Sequence, residues 1–285
     1  MKKNVFGFVM MMLVMVLFLS ACGDKDVEDN GKLKVAVTIE VQKGLVEAVA
    51  GDLVEVTTLV PKGGSPETFE ASPQDIQRFR DADIFFAMDL PVENSKNLPS
   101  DGEFKTVNLG EAVREVYEDL NFDEDERDHH TWLSPKRVMV MVEKIAEVLI
   151  AEDPANEETY LENMTAYLEK LDQLDKEIED KLSDKDQRTF IIFHPALGYF
   201  ADDYDLEMLA LEEEGKEADP KRIGGLVDLA KSKGIKAVLT TEEISSKQVE
   251  AFAEEIGGKV IVVEVLGIDY IGSIKNVAKE IAGIL

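Results

Sequence analysis

The chain has one cysteine, three histidines and one tryptophan in 285 residues, and aromatics make up only 7% of it. A lone cysteine has no intrachain partner, so no disulfide supports the fold and apolar cores must hold it. Basic residues are also scarce: 31 Lys and Arg stand against 59 Asp and Glu, a net charge of −28. That balance argues against nucleic acid or an anionic membrane surface as a partner; the acid keeps the chain soluble and can gather cations. No low-complexity tract is present. With 45% hydrophobic residues the composition is globular, and the length suits two domains of ordinary size.

The first residues differ from the rest. Met1-Lys2-Lys3 is basic, Val5 to Leu19 is apolar, and Leu19-Ser20-Ala21-Cys22 closes the run with small residues before the cysteine. As a membrane anchor the run is near the lower length limit. Leu-Ser-Ala-Cys resembles the lipobox of bacterial lipoproteins, which implies a signal peptide over 1–21 and lipidation of Cys22. Residues 22–31, polar and flexible in composition, then read as a tether.

Beyond the tether, strands alternate with helices, a pattern that predicts α/β domains with mainly parallel sheets. Strands are expected at 32–38, 53–60, 83–87 and 104–108. Helices are expected from the end of the first strand to Val49, from Ser72-Pro73 (Ser as N-cap, Pro at the first position), and over Pro135 to Ala151. Ala155 to Leu182 lacks Gly and Pro, and Leu161, Met164, Leu168, Leu171, Leu174, Ile178 and Leu182 recur every three or four residues. This is an amphipathic helix. At 1.5 Å per residue it spans about 40 Å, the size of a domain, and it reads as a strut rather than a coiled coil. The alternation then resumes, with strands at 189–193, 206–211, 235–240 and 259–264. Helices are expected from Asp219-Pro220 to Lys231, over Lys247 to Glu255, and from Tyr270 to Ile284 with Asp269 as N-cap. The predicted architecture is two Rossmann-like α/β lobes, 32–153 and 185–285, joined by a long helix within 154–184.

Two histidine-bearing strings are chemically dense. His194 follows an apolar strand directly, at the carboxyl edge where open α/β sheets bind ligands. His130 lies in a polar loop just before Trp132-Leu133 and Ser134-Pro135. If that loop is extended, His130 shares a side with a buried Trp132 and His129 points the other way. Asp128 is placed to orient an imidazole. One imidazole from each half could meet on a divalent metal, with carboxylates as the remaining donors. Among 59 acidic residues the sequence by itself does not say which.

Several separated strings together carry a resemblance. Pro61-Lys62-Gly63-Gly64-Ser65-Pro66-Glu67-Thr68-Phe69-Glu70-Ala71-Ser72-Pro73-Gln74-Asp75-Ile76, Asp128 to Pro135, Phe193 to Tyr204, Leu211 to Pro220 and Val265 to Asp269 occur in the order found in one family. They resemble the metal-binding substrate-binding lipoproteins of bacterial zinc and manganese ABC importers, the cluster A-I solute-binding proteins. The resemblance implies two α/β lobes joined by one long helix, with a metal site in the cleft between them. It implies four ligands: Glu67, His130, His194 and Asp269. Glu67 stands where the family usually has histidine. Asp128, His129, Glu70 and Glu242 are expected beside the site or at its rim. Asn121 to Asp128 is acidic but carries no histidine, unlike the histidine-rich loop of many zinc-type members.

Four protein donors suit carriage of zinc in a closed tetrahedral site. Two imidazoles with two carboxylates is a harder set that also admits manganese, although intrinsic affinity favours zinc; the resemblance implies zinc too, since manganese-type members more often have glutamate at the position of His194. The implied function is extracytoplasmic capture of zinc, with manganese as the alternative, by a lipid-anchored monomer that delivers it to an ABC permease. Small loop movements are expected, and metal affinity should fall below about pH 6.5 as histidines protonate. The rivals are a zinc-dependent hydrolase, for which no HExxH helix is present, and an organic-ligand binder or adhesin on the same architecture.

Overall fold

The computed structural model describes residues 31–94, 104–122, 127–212, 219–244 and 247–285. The predicted signal segment, Cys22 and all but the last residue of the tether lie outside them. Leu33–Leu285 forms one compact unit. Among the described residues no helix is long and apolar enough to cross a membrane.

The first lobe runs β1 (Leu33–Val37), α1 (Glu40–Ala50), β2 (Val54–Thr58), α2 (Pro73–Arg80), β3 (Ile84–Ala87), β4 (Lys105–Asn108), α3 (Leu109–Arg114) and α4 (Pro135–Glu152). Its strands pair only in parallel, in the order β2-β1-β3-β4. The central strands β1 and β3 are apolar because both of their faces are covered. The predicted caps form: Ser72 Oγ accepts from Asp75 N, and Ser134 accepts from Arg137 N ahead of Pro135. The short α3, which had no clear periodicity, starts on an Asn108 cap.

The long helix α5 (Glu157–Ser183) follows. It packs against α1 and α4 of the first lobe and against the last helix of the second. Leu171, Leu174, Ile178 and Leu182 of its predicted stripe are buried, but Leu161 is exposed and Tyr160 is buried in its stead. The hydroxyl of Tyr160 donates to Asp153 at 2.8 Å, which ties the start of the helix to the turn before it.

The second lobe comprises β5 (Thr189–Ile192), α6 (Gly198–Asp203), β6 (Glu207–Ala210), α7 (Pro220–Lys233), β7 (Ala237–Thr241), α8 (Lys247–Glu255), β8 (Lys259–Val263) and α9 (Tyr270–Ala282). Its sheet is again parallel, ordered β6-β5-β7-β8. Strand order therefore reverses at β1/β3 in one sheet and at β5/β7 in the other, and ligands settle at the carboxyl ends of such crevices.

The seam between the lobes is apolar and close. One apolar cluster runs continuously from β1, α1 and β3 through α4 and α5 to β5, β7 and α9. A second, smaller cluster lies under α7 and α8. Gly44 of α1 is backed so tightly by the other lobe that a Cβ there would sit 2.1 Å from the Ile268 carbonyl oxygen. The indole N–H of Trp132 donates across the seam to the Val265 carbonyl at 3.0 Å.

Candidate metal centre

Three loops bring one donor each to a shared point. The loop after β2 carries Glu67 on a stretch anchored by buried Pro66 and partly buried Phe69. Phe69 N donates to the Ser65 carbonyl at 2.9 Å, which closes the loop into a compact turn. His130 precedes a 3-10 turn over Thr131–Leu133. His194 lies just past β5, where Phe193 N is still bonded to the Leu239 carbonyl at 2.8 Å.

One ligand atom each of Glu67, His130 and His194 lies within 4.8 Å of the others. His194 Nε2 is 2.7 Å and His130 Nε2 is 3.7 Å from Glu67 Oε1, and the two Nε2 atoms are 3.1 Å apart. Donors held about 2.0–2.2 Å from a tetrahedral ion stand roughly 3.3–3.6 Å from one another. The three separations bracket that edge, so an ion can sit at bonding distance from all three.

Each imidazole is oriented from behind. Asp128 Oδ1 accepts from His130 Nδ1 at 2.8 Å and also from its backbone N–H at 2.8 Å. Glu212 Oε1 takes the same role on His194 Nδ1. In both contacts Nδ1–H donates to a carboxylate oxygen, which turns the Nε2 lone pair toward the shared point. Asp128 is in turn fixed by the second lobe. Tyr199 Oη donates to its carbonyl at 2.9 Å, and a Cβ at Gly198 would lie 2.4 Å from its Oδ2.

The sequence expectations fare unevenly. The segment before Trp132 is not extended, so the alternation argument fails there. His130 is nevertheless the inward residue, because the 3-10 turn stacks it 5.2 Å from the Trp132 ring. His129 is half-buried and outside the ligand group. Asp269 also stands outside that group: its Oδ1 accepts from Gly272 N at 3.0 Å as the N-cap of α9. Of the four donors implied by resemblance, Glu67, His130 and His194 are the ones drawn together in this geometry. Glu70 and Glu242 are exposed. The glutamate lining the cavity is Glu243, which sequence reasoning passed over along with Glu212.

The cavity is small, about 30 Å³, and is otherwise walled by Pro66, Trp132, Ala196, Ile244, Val265 and Leu266 among others. Pockets for organic ligands are typically about 300–1,000 Å³. The space suits an ion and a water.

Burial opposes charge on His194, but hydrogen bonds to Glu212 and Glu67 outweigh it and push its pKa up to about 9. Burial opposes charge on Glu67 as well; bonds to His130 and His194 overcome it and hold the carboxyl far below its usual range. His130 is raised too: burial works against its charge and the Asp128 bond prevails. A proton therefore competes with metal at His194 up to about pH 9, not only below the 6.5 expected from an ordinary histidine. Zinc affinity should rise about tenfold per pH unit between pH 7 and 8.5, read by calorimetry across a buffer series. The sign reverses for the metal-free fold. A raised imidazole pKa stabilises fully below about 6.5 and ceases to do so as pH climbs through about 9, so thermal stability without metal should decline over that window. A flat affinity profile would contradict proton competition at His194.

The family model described as zinc-uptake complex component A, periplasmic, matches residues 35–283. The chain is 32% identical to the zinc-binding protein AdcA of Streptococcus pyogenes serotype M3 over 292 residues, covering 93% of this chain and 56% of that one. It therefore spans about half the length of the first curated relatives it matches. It is 30% identical to the manganese-binding lipoprotein MntA of Halalkalibacterium halodurans, covering 90% of this chain and 87% of that protein. The crystal structure of ZnuA superposes with a TM-score of 0.83 at 32% identity, over 89% of this chain and 99% of its own. The periplasmic zinc-binding protein TroA from Treponema pallidum gives 0.82 at 22% identity, a likeness of fold.

Proposed function

Because the chain belongs to the family of the periplasmic zinc-uptake complex component A, we propose that it captures zinc outside the cytoplasm and hands it to the permease of an ABC importer. It is a binding protein, not an enzyme. The observation that carries the reading is the convergence of Glu67, His130 and His194 from separate loops of both lobes, with each imidazole already aimed by a carboxylate. In this reading these three residues ligate the ion, and Cys22 carries a lipid that anchors a monomer to the membrane.

Zinc is preferred over manganese because two imidazoles with few oxygens suit the later metals of the divalent series. The similarity to MntA keeps manganese as the second reading. Capture ties the lobes together without a wide hinge motion, since a continuous helix and a shared apolar core already join them. Release then falls to the loops bearing the ligands.

The test is titration of the full chain with zinc and with manganese, followed by calorimetry and native mass spectrometry. One zinc ion per chain, bound more tightly than manganese, is expected; no bound ion would sink the reading. Glu67→His is the sharper arm. A third imidazole at this position should tighten zinc by at least about tenfold, or 1.4 kcal/mol. An unchanged constant would remove Glu67 from the ligand set.

A further inference from the structure

Three protein donors leave a tetrahedral ion one short. A second carboxylate would complete the set. The nearby acidic groups can be sorted by what they already do. Asp128 holds His130, Glu212 holds His194, and Asp269 caps α9. Glu264 Oε2 accepts from Ser273 Oγ at 3.1 Å.

Glu243 is placed differently. It sits two residues past the end of β7, whose neighbour β5 leads into His194. With Glu67 it is one of two carboxylates among the residues lining the cavity. Its carboxylate is bonded only locally, to Thr241, and beyond that hydroxyl the wall near it is the apolar Ile244, Val265 and Leu266. Its sequence neighbour Glu242 faces solvent.

We propose that Glu243 is the fourth protein donor to the captured ion, joining Glu67, His130 and His194 when its side chain swings into the cavity. The inference rests on the proposed metal capture and deepens it. The set becomes two imidazoles and two carboxylates. Two of its members, His194 and Glu243, then come from adjacent strands of one sheet. Its carboxylate lies outside the group of ligand atoms already drawn together, so the ion recruits it last.

The experiment uses the full chain with two probes: zinc by calorimetry, and cobalt(II) by visible absorption, which is strong for four-coordinate and weak for six-coordinate ions. Glu243→Gln and Glu243→Ala are compared with Glu242→Gln, Glu264→Gln and the unaltered protein. Both Glu243 variants should keep the melting temperature of the metal-free protein, lose about 10- to 100-fold in zinc affinity, and show an altered cobalt spectrum. Glu242→Gln should match the unaltered protein in both. Unaltered affinity and spectrum in the Glu243 variants would overturn the inference while leaving metal capture standing. A loss confined to Glu264→Gln would also overturn it. Absence of zinc binding by the unaltered protein would instead refute capture itself, and this inference with it.

Discussion

Replacing His130 and His194 together with alanine is expected to abolish zinc retention, lowering affinity by at least about a thousandfold, or roughly 4 kcal/mol. The two rings supply two of the three assembled donors and sit almost wholly inside, with side chains 9% and 5% exposed. Water does not fill their places well, because much of the surrounding wall (Pro66, Trp132, Ala196, Ile244, Val265 and Leu266) is apolar. The loss should also appear in unfolding. Ligand binding to the folded state alone stabilises by RT ln(1 + [L]/Kd), about 4 kcal/mol at a thousandfold excess over Kd. Zinc should therefore raise the melting temperature of the unaltered protein and leave that of the double variant where it was. Differential scanning calorimetry with and without zinc reads both effects, and an equal zinc-induced shift in the two proteins would remove the histidines from the site.

The second large effect lies at the seam. Arg137 of α4 is buried, and its Nη1 pairs with Asp203 Oδ1 of α6 at 2.8 Å. The guanidinium lies between Tyr199, 4.4 Å from the ring centre, and Tyr117 at 5.2 Å, so residues of both lobes stack on it. Ser134, the cap of α4, also donates to Asp203. Arg137→Ala leaves the Asp203 side chain, 7% exposed, with the Ser134 hydroxyl but without its cation, which is expected to cost about 3–5 kcal/mol. For a domain of this size that lowers the melting temperature by on the order of 10 °C. Arg137→Met combined with Asp203→Leu removes both charges and should regain most of the loss. Chemical denaturation of the three variants decides it; a single-variant cost under about 1 kcal/mol would mean that packing, not the ion pair, holds the lobes in register. The consequence reaches the metal. Tyr199 sits on the same helix as Asp203 and holds Asp128, which aims His130. A loosened α6 should weaken zinc binding as well.

Much of this architecture was legible because its signals are local. Alternating apolar strands, Ser72 and Ser134 before prolines, and the uninterrupted stripe toward Leu182 each act over one or two turns of chain, where neighbours alone fix the preference. Leu161 escaped that logic: near the start of α5 the buried position is set by which side the lobes present, and Tyr160 takes it. Asp269 was legible as a helix cap, and the structure shows the cap, because capping needs only the three residues that follow.

The sequence by itself determined two parallel α/β lobes, a long helix between them, and one histidine, His194, at the edge where such sheets bind ligands. These follow from periodicity, capping chemistry and the scarcity of histidine. Only the tertiary structure decided which of 59 acidic residues matter. Glu212 and Asp128 behind the imidazoles, Glu67 before them, Glu243 on the cavity wall and Asp203 under Arg137 are chemically the same as dozens of solvated neighbours. Each acquires its role by burial beside a partner far away in sequence, and no local pattern encodes that proximity.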